Sequence, residues 1–199
     1  MDTISPWLVG RFSNNKEFQQ LFNKVLTEDV KVTSNRGQRY APTVFPGFSW
    51  TNVQRIYGSS YPLNQIPRNG GAFWEYQVNT IIHDLGGLGA QFIFGAMFDE
   101  FDEGTAIAKA ASTELDLPVE GTFLYLSIDG ETIASDYYLE LAGRYSTTFN
   151  QQTEIAHSLK TQSIFSVSEE FNEIKHKLQT QSFEAAYNRI RNAKRKLIV

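Results

Sequence analysis

Apolar residues recur along this chain first at helical spacing and then in short extended runs, with polar or glycine-rich breaks between them. The pattern predicts one helix that Asn14 or Asn15 caps and a second helix over residues 72–85. Their apolar faces comprise Phe18, Leu21, Phe22, Val25 and Leu26 in the first helix, and Trp74, Val78, Ile81, Ile82 and Leu85 in the second. Strands are predicted at residues 2–9, 40–45, 90–98 and 122–128, and a third helix at residues 135–145.

The order of these elements is typical of parallel βα units in an α/β fold. Residues 90–98 are almost continuously apolar, as expected of a parallel strand that is buried on both faces. Residues 51–71 read as a long irregular loop, and long loops of this type often carry function. From residue 151 the pattern changes to polar helices. We therefore expect an α/β body over residues 1–150 and a helical extension over residues 151–199.

The composition and charge of the chain exclude several classes of function. The chain has 199 residues, of which 41% are hydrophobic, which is enough for one globular core. It contains no cysteine, which excludes disulfides and thiolate chemistry. No apolar run reaches the roughly 18–20 residues of a membrane span, and the N-terminus lacks the regions of a signal peptide. We expect no membrane partner and take the cytoplasm as the default location.

The charge is distributed unevenly between the two parts. Residues 1–150 carry 10 basic and 17 acidic side chains, a net of −7, whereas residues 151–199 carry 8 and 5, a net of +3. The tail ends in a basic cluster of Arg189, Arg191, Lys194, Arg195 and Lys196. Such a cluster is typical of a solvated helix end, and an acidic partner is the alternative. No aromatic-basic platform accompanies it, so we do not expect a nucleic-acid partner.

Four acidic residues follow the predicted strand at 90–98 within a segment of five: Asp99, Glu100, Asp102 and Glu103. Functional side chains of parallel α/β folds lie after the carboxyl ends of strands. Crowded carboxyl groups raise the pKa of one member, which suits a general acid, and glycoside hydrolysis uses two carboxyl groups in distinct roles. The aromatic residues Trp7, Phe48 and Trp50 at neighbouring strand ends offer faces on which sugar rings stack.

Other interpretations of this acidic segment stay open at this point. It is also typical of a solvated turn, and Asp102 or Glu103 can cap a helix that begins at Gly104. A magnesium or calcium site is a further alternative, because these ions prefer carboxylate ligands.

Four segments, in this order, resemble glycoside hydrolase family 99 and its family 71/99-like relatives. They are residues 4–11 (ISPWLVGR), 44–50 (VFPGFSW), 64–71 (NQIPRNGG) and 96–106 (AMFDEFDEGTA). The resemblance covers roughly residues 2–146. It implies an endo-acting α-mannosidase or mannanase on a (β/α)8 barrel, with an oligosaccharide or polysaccharide as partner and without a metal or other cofactor. This chain matches only the C-terminal half of that TIM barrel.

The resemblance also implies residue roles. Such enzymes retain anomeric configuration through a 1,2-anhydro sugar, and Glu100 matches the residue that deprotonates the substrate 2-hydroxyl. Glu103 matches the general acid that protonates the leaving oxygen and then activates water. Further substrate-binding candidates are Trp50, Asn64, Arg68, Trp7 and Asp99.

A half barrel leaves open strand edges and an exposed apolar inner face. Three arrangements follow from it: a homodimer through the barrel edges, a gap covered by the C-terminal helices, or an inactive truncated relic. The sequence thus supports two function classes, a glycoside hydrolase-like enzyme and a non-catalytic carbohydrate-binding or assembly protein.

Overall fold

A computed structural model describes residues 2–85, 90, 92–155 and 158. The chain divides into two units, Met1–Glu154 and Ile155–Val199, and the strands, the loops after them and the core belong to the first. The predicted tail helices and the basic cluster lie outside the described residues. In the part of the chain that is described, no helix combines the length and apolarity needed to cross a bilayer.

The first predicted helix forms as three continuous segments. They are α1 (Asn15–Leu21), a π-helical stretch (Phe22–Leu26) and α2 (Thr27–Asn35). Asn14 caps α1, because its Oδ1 accepts the backbone N–H of Glu17 at 3.0 Å. Phe18, Phe22 and Leu26 are buried as predicted. Val25 is 37% exposed instead, because the wider π-helical turn keeps residues spaced four apart on one face and rotates Val25 away.

The second predicted helix also forms, and its apolar face is buried from Trp74 to Ile82. A 3₁₀ turn (Asn69–Gly71) leads into α4 (Ala72–Thr80) and a π-helical end (Ile81–Leu85). The loop prediction for residues 51–71 missed the short helix α3 (Thr51–Ile56), which lies between α2 and α4. The third predicted helix is longer than expected, since α5 runs over residues 137–155.

The strands are short and pair in parallel, which confirms the α/β class at a coarse level. They are β1 (Thr3–Ile4), β2 (Arg39–Tyr40), β3 (Thr43–Val44) and β4 (Phe94–Gly95). β1 pairs with β2, Thr3 opposite Arg39, and β3 pairs with β4, Thr43 opposite Phe94. A parallel bridge joins Tyr40 to Ala90.

Two strand predictions were wrong in detail. Residues 122–128 form no strand, because Leu126 N–H and Ser127 N–H bond to the loop carbonyls of residues 111 and 112 and a 3₁₀ turn (Leu126–Asp129) follows. Residues 90–98 are not buried on both faces, since Phe94 is 38% exposed. Within the described residues β4 pairs with β3 on one side only. Its Gly95 side faces Trp74 and Ile107, and Phe94 on the other side remains partly exposed.

The core of this unit is aromatic where it supports the loops after β3. Phe45 packs against Phe12 and Phe73 with ring centroids 4.9 and 5.4 Å apart. Gln77 of α4 is fully buried and bonds to both backbone groups of Phe45, accepting its N–H at 3.2 Å and donating to its carbonyl at 2.9 Å. The amide therefore fixes the backbone directly before the turn that begins at Pro46.

Candidate functional site

The acidic segment after β4 forms a closed loop rather than a helix. Its two arms are joined because Met97 N–H bonds to the carbonyl of Thr105 at 3.3 Å and Ile107 N–H bonds to that of Met97 at 3.0 Å. Thr105 N–H bonds to the Glu100 carbonyl at 3.1 Å inside the loop. No helix begins at Gly104, so the helix-cap interpretation of Asp102 and Glu103 is wrong.

The four carboxyl groups of this loop differ in exposure. Asp99 and Asp102 are exposed, whereas Glu100 and Glu103 are half-buried. Desolvation raises the pKa of Glu103, and the negative charges of Glu100 and Asp102 raise it further. One carboxyl group of the cluster thus holds its proton to higher pH than an ordinary glutamate. Such a group suits proton donation.

The long loop after β3 holds the acidic loop in place. Ser49 N–H donates to the Glu103 carbonyl at 2.8 Å. Asn52, at the start of α3, donates from Nδ2 to the Asp102 carboxylate at 2.5 Å and accepts the Thr122 N–H on Oδ1 at 2.9 Å. Asn52 was not predicted as a site residue, since its only signal in the sequence is its position shortly after the 44–50 segment.

Arg68 lies beneath the acidic loop and is 5% exposed. Its Nη2 donates to the carbonyls of Gly104 and Ala106, each at 2.9 Å. Its Cζ stands 4.5 Å from the centroid of the Tyr138 ring on α5. Burial lowers the pKa of Arg68, and Tyr138 and Asp129 act in the opposite direction. The side chain that the sequence placed near a sugar therefore bonds to backbone.

Asn64 is also engaged within the protein. Its backbone has a φ of +60°, and its Nδ2 donates to Asp129 Oδ1 at 2.6 Å. Asn69 N–H donates to the other Asp129 oxygen at 2.7 Å. Asp129 therefore anchors both ends of the 64–69 segment.

The aromatic candidates separate into two places. Trp50 is 41% exposed and lies next to Tyr61, 42% exposed, with ring centroids 6.2 Å apart. Because Ser49 bonds to the Glu103 carbonyl, this pair belongs to the same loop assembly as the acids. Trp7, 52% exposed, instead lies against Phe94 of β4 at 6.4 Å.

Among the residues that the structure describes, no group of three or more His, Asp or Glu side chains is arranged to hold a metal ion.

The fold of this chain is similar to that of known proteins. No family model and no curated protein matches the chain. The similar solved structures include two of the GH99 endo-α-mannosidase from Bacteroides thetaiotaomicron, one of them in complex with BIS-TRIS-propane. The first has a TM-score of 0.54 at 20% identity over 78% of this chain, and the second has 0.51 at 19% over 76%.

The chain spans 42% and 39% of the length of those two structures. At this identity the likeness is one of fold, so the chain has a glycosidase-like α/β fold over most of its described length. The sequence resemblance to family 99 is confirmed at that level.

Proposed function

We propose that residues 1–150 form a glycoside hydrolase-like domain that cleaves α-linked mannose or a related glycan. The observation that carries the proposal is the pair Glu100 and Glu103 on the loop after β4, with Glu103 half-buried and its pKa raised. Two carboxyl groups with separated protonation behaviour are what glycoside hydrolysis requires. The fold similarity to endo-α-mannosidase structures supports the same reaction class.

The proposed reaction retains configuration through a 1,2-anhydro sugar. Glu100 accepts the proton of the 2-hydroxyl, and the 2-oxygen forms a bond to C1 while the bond from C1 to the leaving oxygen breaks. Glu103 gives its proton to that leaving oxygen. Water then attacks C1 and forms a bond to it while the bond from C1 to the 2-oxygen breaks. Glu103 accepts a proton from the water, and Glu100 returns the first proton to the 2-oxygen. The sum is addition of one water, and no cofactor takes part.

The exposed side chains on the acidic loop and on the loop after β3 are the candidates for contacts with the substrate. Trp50 and Tyr61 offer exposed ring faces for stacking, and the exposed Asp99 carboxylate can accept a sugar hydroxyl. Trp7 extends the aromatic surface along β4. Asn64 contributes by anchoring the neighbouring segment to Asp129.

We also propose that the two parallel strand pairs correspond to strands of a (β/α)8 barrel in its C-terminal half. Parallel pairing supports this, as does the position of the acidic loop after the carboxyl end of β4.

Turnover of α-manno-oligosaccharides, followed by chromatography of the products, tests the proposal. We expect Glu103→Gln and Glu100→Gln to lower kcat by about 10²–10⁴-fold. The matched control is Glu120→Gln, because Glu120 is exposed and distant in sequence from the acidic loop. An α-mannoside with an activated phenol leaving group needs no acid in the first step, so release of the phenol should be restored in Glu103→Gln and not in Glu100→Gln.

The same substrates distinguish a second candidate, a non-catalytic carbohydrate-binding protein. The exposed Trp50–Tyr61 pair favours it, because ring stacking requires no acid pair. Calorimetric binding without turnover supports this second function and contradicts the first. Absence of both binding and turnover contradicts both.

A further inference from the structure

Arg68 is a buried cation without an ordinary partner. Neither ion pair found in the described part of the chain includes it; these join Lys31 to Glu28 and Lys109 to Asp136. Only its Nη2 is hydrogen-bonded, and its Nε and Nη1 are buried without a partner. Burying a guanidinium in this way is unfavourable unless other contacts compensate for its lost hydration.

The negative charge of Asp129 and the ring of Tyr138 offset that cost in part. The Tyr138 ring lies 4.5 Å from the guanidinium carbon, which is a favourable cation–π distance. Trp74 stacks on Tyr138 with centroids 5.9 Å apart and planes 9° from parallel, so the ring is held firmly in place. A leucine or methionine would fill the same volume without an uncompensated charge. Such a residue could not form the two hydrogen bonds that Arg68 donates to the carbonyls of Gly104 and Ala106.

Three of the four segments that resemble family 99 meet at this side chain. Gly47 leaves room for its stem, since a Cβ at that position would lie 2.6 Å from Arg68 Cγ. The segment at residues 64–71 supplies Arg68 itself. The segment at residues 96–106 supplies Gly104, whose φ of +64° and tight contact with Leu124 leave space only for glycine.

We propose that Arg68 is a positioning residue, whose guanidinium fixes the backbone at Gly104 and Ala106 and thereby sets where the Glu103 carboxyl lies. Glu103 directly precedes Gly104, and its own carbonyl is held from the other side by Ser49 N–H. The acidic loop is thus fixed on both sides of the carboxyl group that the proposed function makes the proton donor. The catalytic importance of Arg68 rests on the proposed function. Its effect on the position of the Glu103 carboxyl can be measured whether or not the protein is an enzyme.

The test compares Arg68→Lys and Arg68→Met with Arg55→Lys and Arg55→Met. Arg55 is a matched control, because it is an exposed arginine at the end of α3 in the same loop region. The first readout is the pH titration of the Glu103 carboxyl by NMR with ¹³C-labelled glutamate, assigned with Glu103→Gln. We expect the pKa of Glu103 to change in both Arg68 variants and to remain at its wild-type value in both Arg55 variants.

The second readout is kinetic. Displacement of a catalytic group by about 1 Å lowers turnover by about 10²-fold, so we expect Arg68→Lys to lower kcat by about 10–100-fold with KM within about threefold. A direct sugar contact would instead raise KM and leave kcat unchanged, and that result overturns the proposal. An unchanged Glu103 titration in folded Arg68→Lys overturns it as well.

The two proposals fail in different ways. If the wild-type protein turns over no glycan, the proposed function fails, while the titration comparison still decides the role of Arg68. If the Arg68 variants do not fold, NMR of the wild-type side chain decides. Slowly exchanging Nη2 protons with contacts to residues 104 and 106 support the positioning role, and rapid exchange with solvent contradicts it.

Discussion

Gly47 precedes two aromatic residues of the turn after β3, and its replacement by alanine perturbs the support of the acidic loop without touching a carboxyl group. A Cβ at this position would lie 2.6 Å from Arg68 Cγ and 2.8 Å from the backbone oxygen of Ile66. Both separations are shorter than side chains tolerate. The Ile66 carbonyl cannot move freely, because it accepts the Phe48 N–H at 3.0 Å.

The cost of Gly47→Ala follows from these contacts. Overpacking of a buried site costs about 1–3 kcal/mol, and weakening the Phe48–Ile66 hydrogen bond adds about 1 kcal/mol. We therefore expect the free energy of unfolding to fall by about 2–4 kcal/mol. For a domain of this size, that lowers Tm by about 4–16 °C.

Gly143→Ala is the control with the same chemical change and the opposite expected sign. Gly143 is exposed within α5, and a Cβ there meets nothing within 4 Å. Alanine in a helix interior is favoured over glycine by about 0.5–1 kcal/mol, so this variant should be slightly more stable than wild type.

Thermal and urea unfolding of the two variants measure the difference directly. If the Tm of Gly47→Ala equals that of the wild type while the Tm of Gly143→Ala is higher, then the turn does not pack against Arg68. The same finding would contradict the packing of Gly47 against Arg68, which supports the positioning role of Arg68.

Three further predictions concern the same assembly. Because the folded pKa of Glu103 lies above its ordinary value of 4.5, the stability contribution of this carboxyl falls as pH rises through the folded pKa. Glu103→Gln should therefore raise Tm at pH 7 and leave it unchanged well below pH 4.5, and a lower Tm at pH 7 contradicts this. Asn52→Ala leaves the part-buried Thr122 N–H and the Asp102 carboxylate without their partner, which should lower the free energy of unfolding in urea by about 1–3 kcal/mol, and no loss would argue against these bonds. Tyr138→Phe keeps the ring under Arg68 and removes a buried hydroxyl that interacts electrostatically with Arg68 but makes no hydrogen bond of standard geometry, so Tm should be equal or higher, whereas a clear fall would show that the hydroxyl stabilises Arg68.

The sequence alone determined those features that local interactions control. The helix over residues 72–85 follows from apolar spacing, and the Asn14 cap follows from a bond across three residues. The position of the acidic segment after a strand could also be predicted from the sequence, and so could the similarity of fold to family 99. The roles of Glu100 and Glu103 stay a prediction.

Only the tertiary structure decided how the ordered segments act on one another. Asn52 reaches Asp102 across 50 residues, and Arg68 reaches the carbonyls of the acidic loop across 36 and 38. Such contacts leave no periodic signal, because they depend on how two loops pack rather than on either loop alone. For the same reason the exposure of Phe94 was not predictable, because burial of a strand side chain depends on which elements pack on that face of the sheet, and the strand's own residues do not encode that.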